Sequence, residues 1–238
     1  MRLGGSQKKS KKMIKNVIFD LDGTLLNTLP TIKHHLNTTL THFGYREVDD
    51  EQTKRYIGDG AYQLLYRALT EQGETREEVI RTVLSYYMRQ YELAPLYLTE
   101  IYEGIPEMLA ALSAAGINLL VISNKPDVAA IAVVGHYFPD TFTLVHGGID
   151  GIPLKPDPAL PLRMLSEISA RAGECAFVGD TAVDINTARN MGAAMSFGVL
   201  WGFRDEAELT AAGASVTVSH PSEIVKIITE HNGGNNAS

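Results

Sequence analysis

Five short apolar runs rich in β-forming residues recur along this chain, with helix-length segments between them. That alternation constrains the fold more than any other feature. The runs are residues 16–19, 117–122, 175–178, 194–199 and 215–218. Most are nearly unbroken in hydrophobicity, as strands covered on both faces must be. Strands linked by helical crossovers pair in parallel, so the chain reads as α/β, with a Rossmann-like parallel sheet as its core. Pro106 and Pro221 suit first-turn helix positions and punctuate the helices accordingly.

One block departs from the pattern. Between about 28 and 95 no strand is evident, but three helical stripes are. Ile32, Leu36, Leu40 and Phe43 form one, and Ala61, Leu64, Leu65, Ala68 and Leu69 a second. Val79, Ile80, Val83 and Leu84 open a third that continues through Tyr87 and Tyr91. The expected organisation is therefore an α/β core of residues 13–27 and 96–232, with an all-helical domain inserted at 28–95. Residues 1–12, with lysines at 8, 9, 11 and 12, are expected to be a disordered leader, and 233–238 a frayed tail.

Composition narrows the partners. The 238 residues carry a formal net charge of −7, which argues against wrapping a polyanion but not against a small phosphate ligand. Cys175 is the sole cysteine, so no intrachain disulfide forms, and a reducing, cytoplasmic setting is the default. No apolar run approaches the roughly 18 residues of a membrane span, and the leader lacks the apolar stretch of a secretory signal. The expectation is a small phosphorylated metabolite as ligand, no nucleic acid, no membrane, and a monomer or small homo-oligomer.

Polar clusters follow the strands. The first strand runs directly into Asp20-Leu21-Asp22-Gly23-Thr24. Strand periodicity places Asp20 and Asp22 on one side, where two like charges repel unless a cation lies between them. A plain turn is the competing reading. Ser123-Asn124-Lys125 ends the second run, and its hydroxyl and backbone amides suit an oxyanion. Lys155-Pro156 offers a cation on a stiffened backbone. Gly179-Asp180 follows the third run, with Asp184 one helical turn further on; capping of the next helix also suits these acids. In open parallel sheets the ligand crevice lies outside the carboxyl ends of the strands, so all four clusters converge there.

Charge arithmetic then selects a cation. Asp20, Asp22, Asp180, Asp184 and Lys155 sum to −3, which repels any anion. One Mg²⁺, the natural hard ion for carboxylate oxygens, brings the sum to −1, and a proton on Asp22 brings it to zero. Asp20 is then placed to attack phosphorus and form an aspartyl-phosphate. Asp22, held protonated by crowded neighbours, would serve as acid and then base.

These motifs, in this order and each after a strand, resemble the haloacid dehalogenase superfamily of aspartate-nucleophile phosphatases, over residues 13 to about 228. The helical insert is similar to that superfamily's C1-type cap, which closes over the site and excludes water. The resemblance implies Asp20 as nucleophile and Asp22 as acid/base. It gives phosphate binding to Thr24, Ser123, Asn124 and Lys155, and Mg²⁺ to Asp20, the Asp22 carbonyl, Asp180 and Asp184. Within the superfamily, Tyr56-Ile57-Gly58-Asp59-Gly60-Ala61 and Trp201-Gly202-Phe203-Arg204 resemble phosphoglycolate phosphatases. That likeness makes Gly58, Asp59 and Gly60 a specificity loop, although Asp59 stands where an amide side chain is expected. Lys54, Arg55 or Arg67 could supply a cation for a substrate carboxylate; each fits a solvated helix face equally well.

The expected activity is Mg²⁺-dependent hydrolysis of a small phosphate monoester, with phosphoglycolate the favoured substrate. A pyrophosphatase or a sugar-phosphate mutase fits the same residues. A dehalogenase is disfavoured, because halide departure needs no acid such as Asp22. From another class, a phosphoacceptor signalling module shares strand-end acids, but is shorter and lacks Gly23-Thr24 and the helical insert.

Overall fold

The computed structural model describes residues 12–234. The expected leader, apart from Lys12, and the tail beyond Gly234 lie outside the described residues. Six parallel strands form the main sheet: β1 (Asn16–Phe19), β4 (Asn118–Pro126), β5 (Leu144–Gly148), β6 (Cys175–Gly179), β7 (Met195–Val199) and β8 (Val216–Val218). Their order is β5-β4-β1-β6-β7-β8, so β1 lies between β4 and β6 with both edges paired.

Both faces of β1 are covered. Val17 and Phe19 join the core packed under α5 (Ile105–Ala114) and α10 (Pro221–Gly233). Ile18 points the other way, into a core with Leu120, Phe177 and Met164 of α7 (Ala159–Glu167). Helices α6 (Asp127–Tyr137), α8 (Ala182–Met191) and α9 (Glu206–Ala212) complete the crossovers. Period-two alternation between two apolar layers explains why Val17, Ile18 and Phe19 are all apolar before Asp20.

The chain leaves this core through β2 (Leu26–Asn27) and returns through β3 (Glu100–Ile101), an antiparallel pair of two residues each. Between them lie α1 (Leu29–His42), α2 (Asp50–Tyr56), α3 (Ala61–Thr70) and α4 (Glu77–Leu93). These helices bury a cluster of their own, centred on Leu36, Leu40, Leu65, Leu69, Ile80 and Val83.

Several elements differ from the sequence reading. β5 was absent from it, because Leu144-Val145-His146-Gly147-Gly148 lies at the sheet edge and carries only two apolar side chains. Gly147 is required there, since a Cβ would fall 2.3 Å from the Lys125 carbonyl oxygen. α2 is short and polar, and its start is set by a capping box between Asp49 and Gln52 rather than by an apolar stripe. β4 runs on through Ser123-Asn124-Lys125 instead of stopping at 122, while β7 and β8 each begin one residue late. Gly233, expected in the tail, closes α10.

Candidate active site

The carboxyl edge of the sheet gathers the polar clusters. Asp20 continues the β1 ladder by donating its N–H to the Val178 carbonyl at 2.9 Å, which fixes it beside the end of β6. Asp180 follows β6, and Asp184 sits in the first turn of α8. Carboxylate oxygens of Asp20, Asp180 and Asp184 lie within 4.8 Å of one another, and all three residues are buried. The Thr181 N–H and hydroxyl donate to Asp184 Oδ2 at 3.1 and 2.8 Å, so helix capping and site geometry are met by one residue.

Lys155 reaches this cluster from the loop before α7. Its Nζ donates to Asp20 Oδ1 at 2.6 Å and to Asp184 Oδ1 at 2.7 Å. Burial works against the ammonium, but Asp184 and Asp20 together outweigh it and hold the charge above the ordinary lysine range. Burial raises the Asp20 carboxyl well above the usual carboxylate range, against Lys155 and with help from Asp184, Asp180 and Asp22. Burial and then Asp184 push Asp180 up to about 7. Such crowding of acids away from water is the environment a divalent cation relieves.

Close packing makes the cluster possible. Gly23 has φ +88°, and a Cβ there would fall 2.3 Å from Asp180 Oδ2. At Gly202 a Cβ would fall 2.2 Å from the Asp180 Cβ. The Phe203 N–H donates to Asp180 Oδ2 at 2.8 Å, and the Thr24 hydroxyl to Oδ1 at 3.2 Å. Thr24 therefore orients an acid through its hydroxyl, and the residue is buried and does not line the cavity. The oxygen-only donor set and the glycine-lined approach fit Mg²⁺, with Asp20, Asp180 and Asp184 able to hold it.

Asp22 meets a different partner from the one expected. Its Oδ1 lies 3.0 Å from Lys125 Nζ, an ion pair rather than an aligned hydrogen bond. Lys125 is itself buried, and its ammonium donates to the Tyr91 hydroxyl of α4 at 2.8 Å. Counting Lys125, the four carboxylates and two lysines sum to −2. One divalent cation then brings the formal sum to zero. Lys125 thus gives Asp22 a cationic partner that the charge arithmetic on the sequence left out. Sequence reasoning missed this role, although Lys125 directly follows the Ser123-Asn124 pair it flagged.

Ser123 and Asn124 both line the cavity. Ser123 Oγ accepts from the Lys125 N–H at 3.1 Å. The Asn124 side chain is fully engaged. Its Nδ2 donates to the carbonyls of Gly58 and Lys155 at 3.0 and 3.1 Å, and its Oδ1 accepts the Lys155 N–H at 2.9 Å. That side-chain amide braces the helical segment and the lysine loop together.

On the helical side, Gly58 and Gly60 line the cavity but Asp59 does not. The Asp59 carboxylate pairs with Arg67, whose other nitrogen donates to the Tyr56 carbonyl at 2.9 Å. Lys54 pairs with Glu51 at 2.9 Å and Arg55 approaches Glu71 at 3.8 Å, so none of these cations faces the cavity. Arg204 was flagged only through its motif. Its guanidinium donates to the Lys54 and Ile57 carbonyls at 2.6 and 2.9 Å, tying the core to the loop before Gly58.

Metal affinity should follow pH in a defined direction. The metal-free fold holds a proton on Asp180 up to about 7, whereas an unfolded Asp releases it near ~3.9. Folding therefore takes up a proton between these values, and stability without metal falls as pH rises across that window. A divalent cation bound by Asp180 would have to displace that proton, so its affinity is expected to rise with pH across this window. Fluorescence of Trp201, whose indole N–H donates to the Thr24 carbonyl at 3.0 Å, reads the titration. A pH-independent Kd between 5 and about 7 contradicts it.

A parallel α/β sheet with strand-end acids and a buried lysine facing a cavity defines an α/β enzyme whose chemistry sits at the carboxyl edge of the sheet. The chain belongs to the haloacid dehalogenase-like hydrolases, whose family model matches residues 17–197. It is 32% identical over 221 residues to a phosphoglycolate phosphatase of Chromobacterium violaceum, covering 91% of this chain and 97% of that protein. To a phosphoglycolate phosphatase of Rhodospirillum rubrum it is 37% identical over 196 residues, 78% of this chain and 81% of the relative. A solved structure from Haemophilus somnus, described as that of a predicted phosphoglycolate phosphatase, superposes with TM-score 0.83 at 26% identity. The match covers 90% of this chain and 97% of that one.

Proposed function

We propose that this protein hydrolyses a small phosphate monoester of the cytoplasm through an aspartyl-phosphate on Asp20, with Mg²⁺ as cofactor and phosphoglycolate as the first substrate to test. The names of the Chromobacterium and Rhodospirillum relatives support that substrate. One observation carries the chemistry: Asp20 sits 2.6 Å from Lys155 Nζ, within the acid cluster, on the wall of a cavity that Asp22 also lines. In this reading residues 28–95 are the cap, and Asn124, Lys125 and Arg204 hold it against the core.

In the first step an Asp20 oxygen bonds to phosphorus while the ester oxygen departs with a proton from Asp22. The hydroxyl of Ser123 and the ammonium of Lys155 take up charge on the phosphoryl oxygens. In the second step Asp22 removes a proton from water, which attacks phosphorus and releases Asp20 and inorganic phosphate. Bound to Asp20, Asp180, Asp184 and the Asp22 carbonyl, Mg²⁺ would supply the positive charge that lets a dianion enter.

Release of inorganic phosphate from phosphoglycolate is expected, lost with EDTA and regained with Mg²⁺. Asp22→Asn should lower kcat by about 10²–10⁴, the usual scale of general acid–base assistance. Formation of an isomerised sugar phosphate without free phosphate would assign the site to a mutase instead.

A further inference from the structure

The cavity between cap and core is larger and more apolar than a two-carbon acid requires. It encloses about 390 Å³, within the range of roughly 300–1,000 Å³ that buries ligands of drug size. Its inner end carries Asp20, Ser123 and Lys155. Away from that end the wall is formed by Ile57, Leu64, Tyr87, Met88, Pro95 and Val128. These come from the cap loop, α3, α4 and the stretch after it on one side, and from α6 on the other.

Charge on the wall points the same way. Among the described residues, Lys125 and Lys155 are the only cations lining the cavity, and both are paired to carboxylates at 3.0 Å or less. No arginine reaches it, and Glu92 adds a negative charge. Val128 sits on the wall yet is 82% exposed, so the space runs from the buried acids to solvent past α6. An anionic leaving group gains no free cation along this path. An uncharged hydrocarbon chain gains by leaving water.

We propose that this cavity confers a further activity: hydrolysis of phosphate monoesters whose leaving group is an apolar chain of several carbons, laid from Asp20 towards Val128. The inference rests on the phosphatase reading and extends it beyond glycolate. Bond making and breaking are unchanged. Asp20 takes the phosphoryl group, Asp22 protonates the departing alkoxide, water then cleaves the acyl phosphate, and the products are an alcohol and inorganic phosphate.

The test is kcat/KM for ethyl, butyl and hexyl phosphate beside phosphoglycolate, with Mg²⁺ present. It should rise about fourfold per added methylene, the equivalent of about 0.8 kcal/mol per buried CH₂, or about 10²-fold from ethyl to hexyl. A flat or falling series overturns the proposal. Val128→Asp, at an exposed site outside the catalytic machinery, should lower the hexyl-to-ethyl ratio several-fold and leave ethyl phosphate unchanged. An unaltered ratio removes the chain from the α6 rim. Calorimetry with ethyl- and hexylphosphonate reads the same slope without turnover. Hence phosphonate binding that strengthens with chain length, without turnover of any ester, overturns the phosphatase reading and with it the hydrolysis proposed here, leaving an apolar binding site; turnover with no slope overturns only this proposal.

Discussion

Asp20→Asn is expected to lower turnover by about 10⁴–10⁶, the scale on which enzymes lose activity when a covalent nucleophile is removed. The amide keeps the side-chain shape, and its oxygen can still accept from Lys155, which lies 2.6 Å from Asp20 Oδ1 in the native fold. Folding should therefore survive, with an unchanged far-ultraviolet circular dichroism spectrum. Removing one acid from a buried cluster of three also relieves repulsion, so the metal-free Tm should not fall. Mass spectrometry of the native enzyme, quenched in acid during turnover, should find the phosphoryl group on the peptide carrying Asp20. Appreciable turnover by the variant would remove Asp20 as the attacking group.

Lys155→Met has the largest expected effect on stability. Its ammonium is bonded to both Asp20 and Asp184, at a side-chain exposure of 4%. Methionine fills similar space but leaves two buried carboxylates without their cation. Breaking such a pair from one side costs about 3–5 kcal/mol, a large part of the roughly 5–15 kcal/mol that holds a domain folded. Urea unfolding in EDTA measures the loss. Mg²⁺ should recover part of it, because the ion then neutralises the same oxygens. The added Asp184→Asn should recover part as well, since it removes one of the orphaned charges. With Mg²⁺ present, kcat should still fall about 10²–10³-fold through the missing transition-state donor. A metal-free loss below about 1 kcal/mol would show that Lys155 does not neutralise the pair.

The two lysines illustrate how far the sequence could be read. Lys155 was singled out because it precedes Pro156 in a loop and lies in order with three strand-end clusters. Its own position gave it away. Lys125 stood in the Ser123-Asn124-Lys125 cluster with no role of its own, and its meaning depends on Asp22, 103 positions earlier in the chain, and on Tyr91 of α4. Thr24 shows the reverse case. The resemblance implied phosphate there, and the fold adds an acid, Asp180, within 3.2 Å of its hydroxyl. Asp59 likewise sits between two glycines that line the cavity, and a pairing with Arg67 one helix away decides its role.

Elements with strong local signals were legible for the same reason. β1, β4, β6, β7 and β8 are mainly apolar runs, and α1, α3 and α4 carry repeating stripes. β5 and α2 are held by a sheet edge and by a capping box, and neither leaves an apolar period to read.

By itself, then, the sequence determined a parallel α/β core, a helical insertion and the acids at its strand ends, because periodicity and strand-end position are local properties. Only the tertiary structure decided which charge neutralises which, what braces the helical segment to the core and how apolar the cavity between them is. Those depend on distances between residues far apart in the chain, and Coulomb energy and burial are set by distance in space.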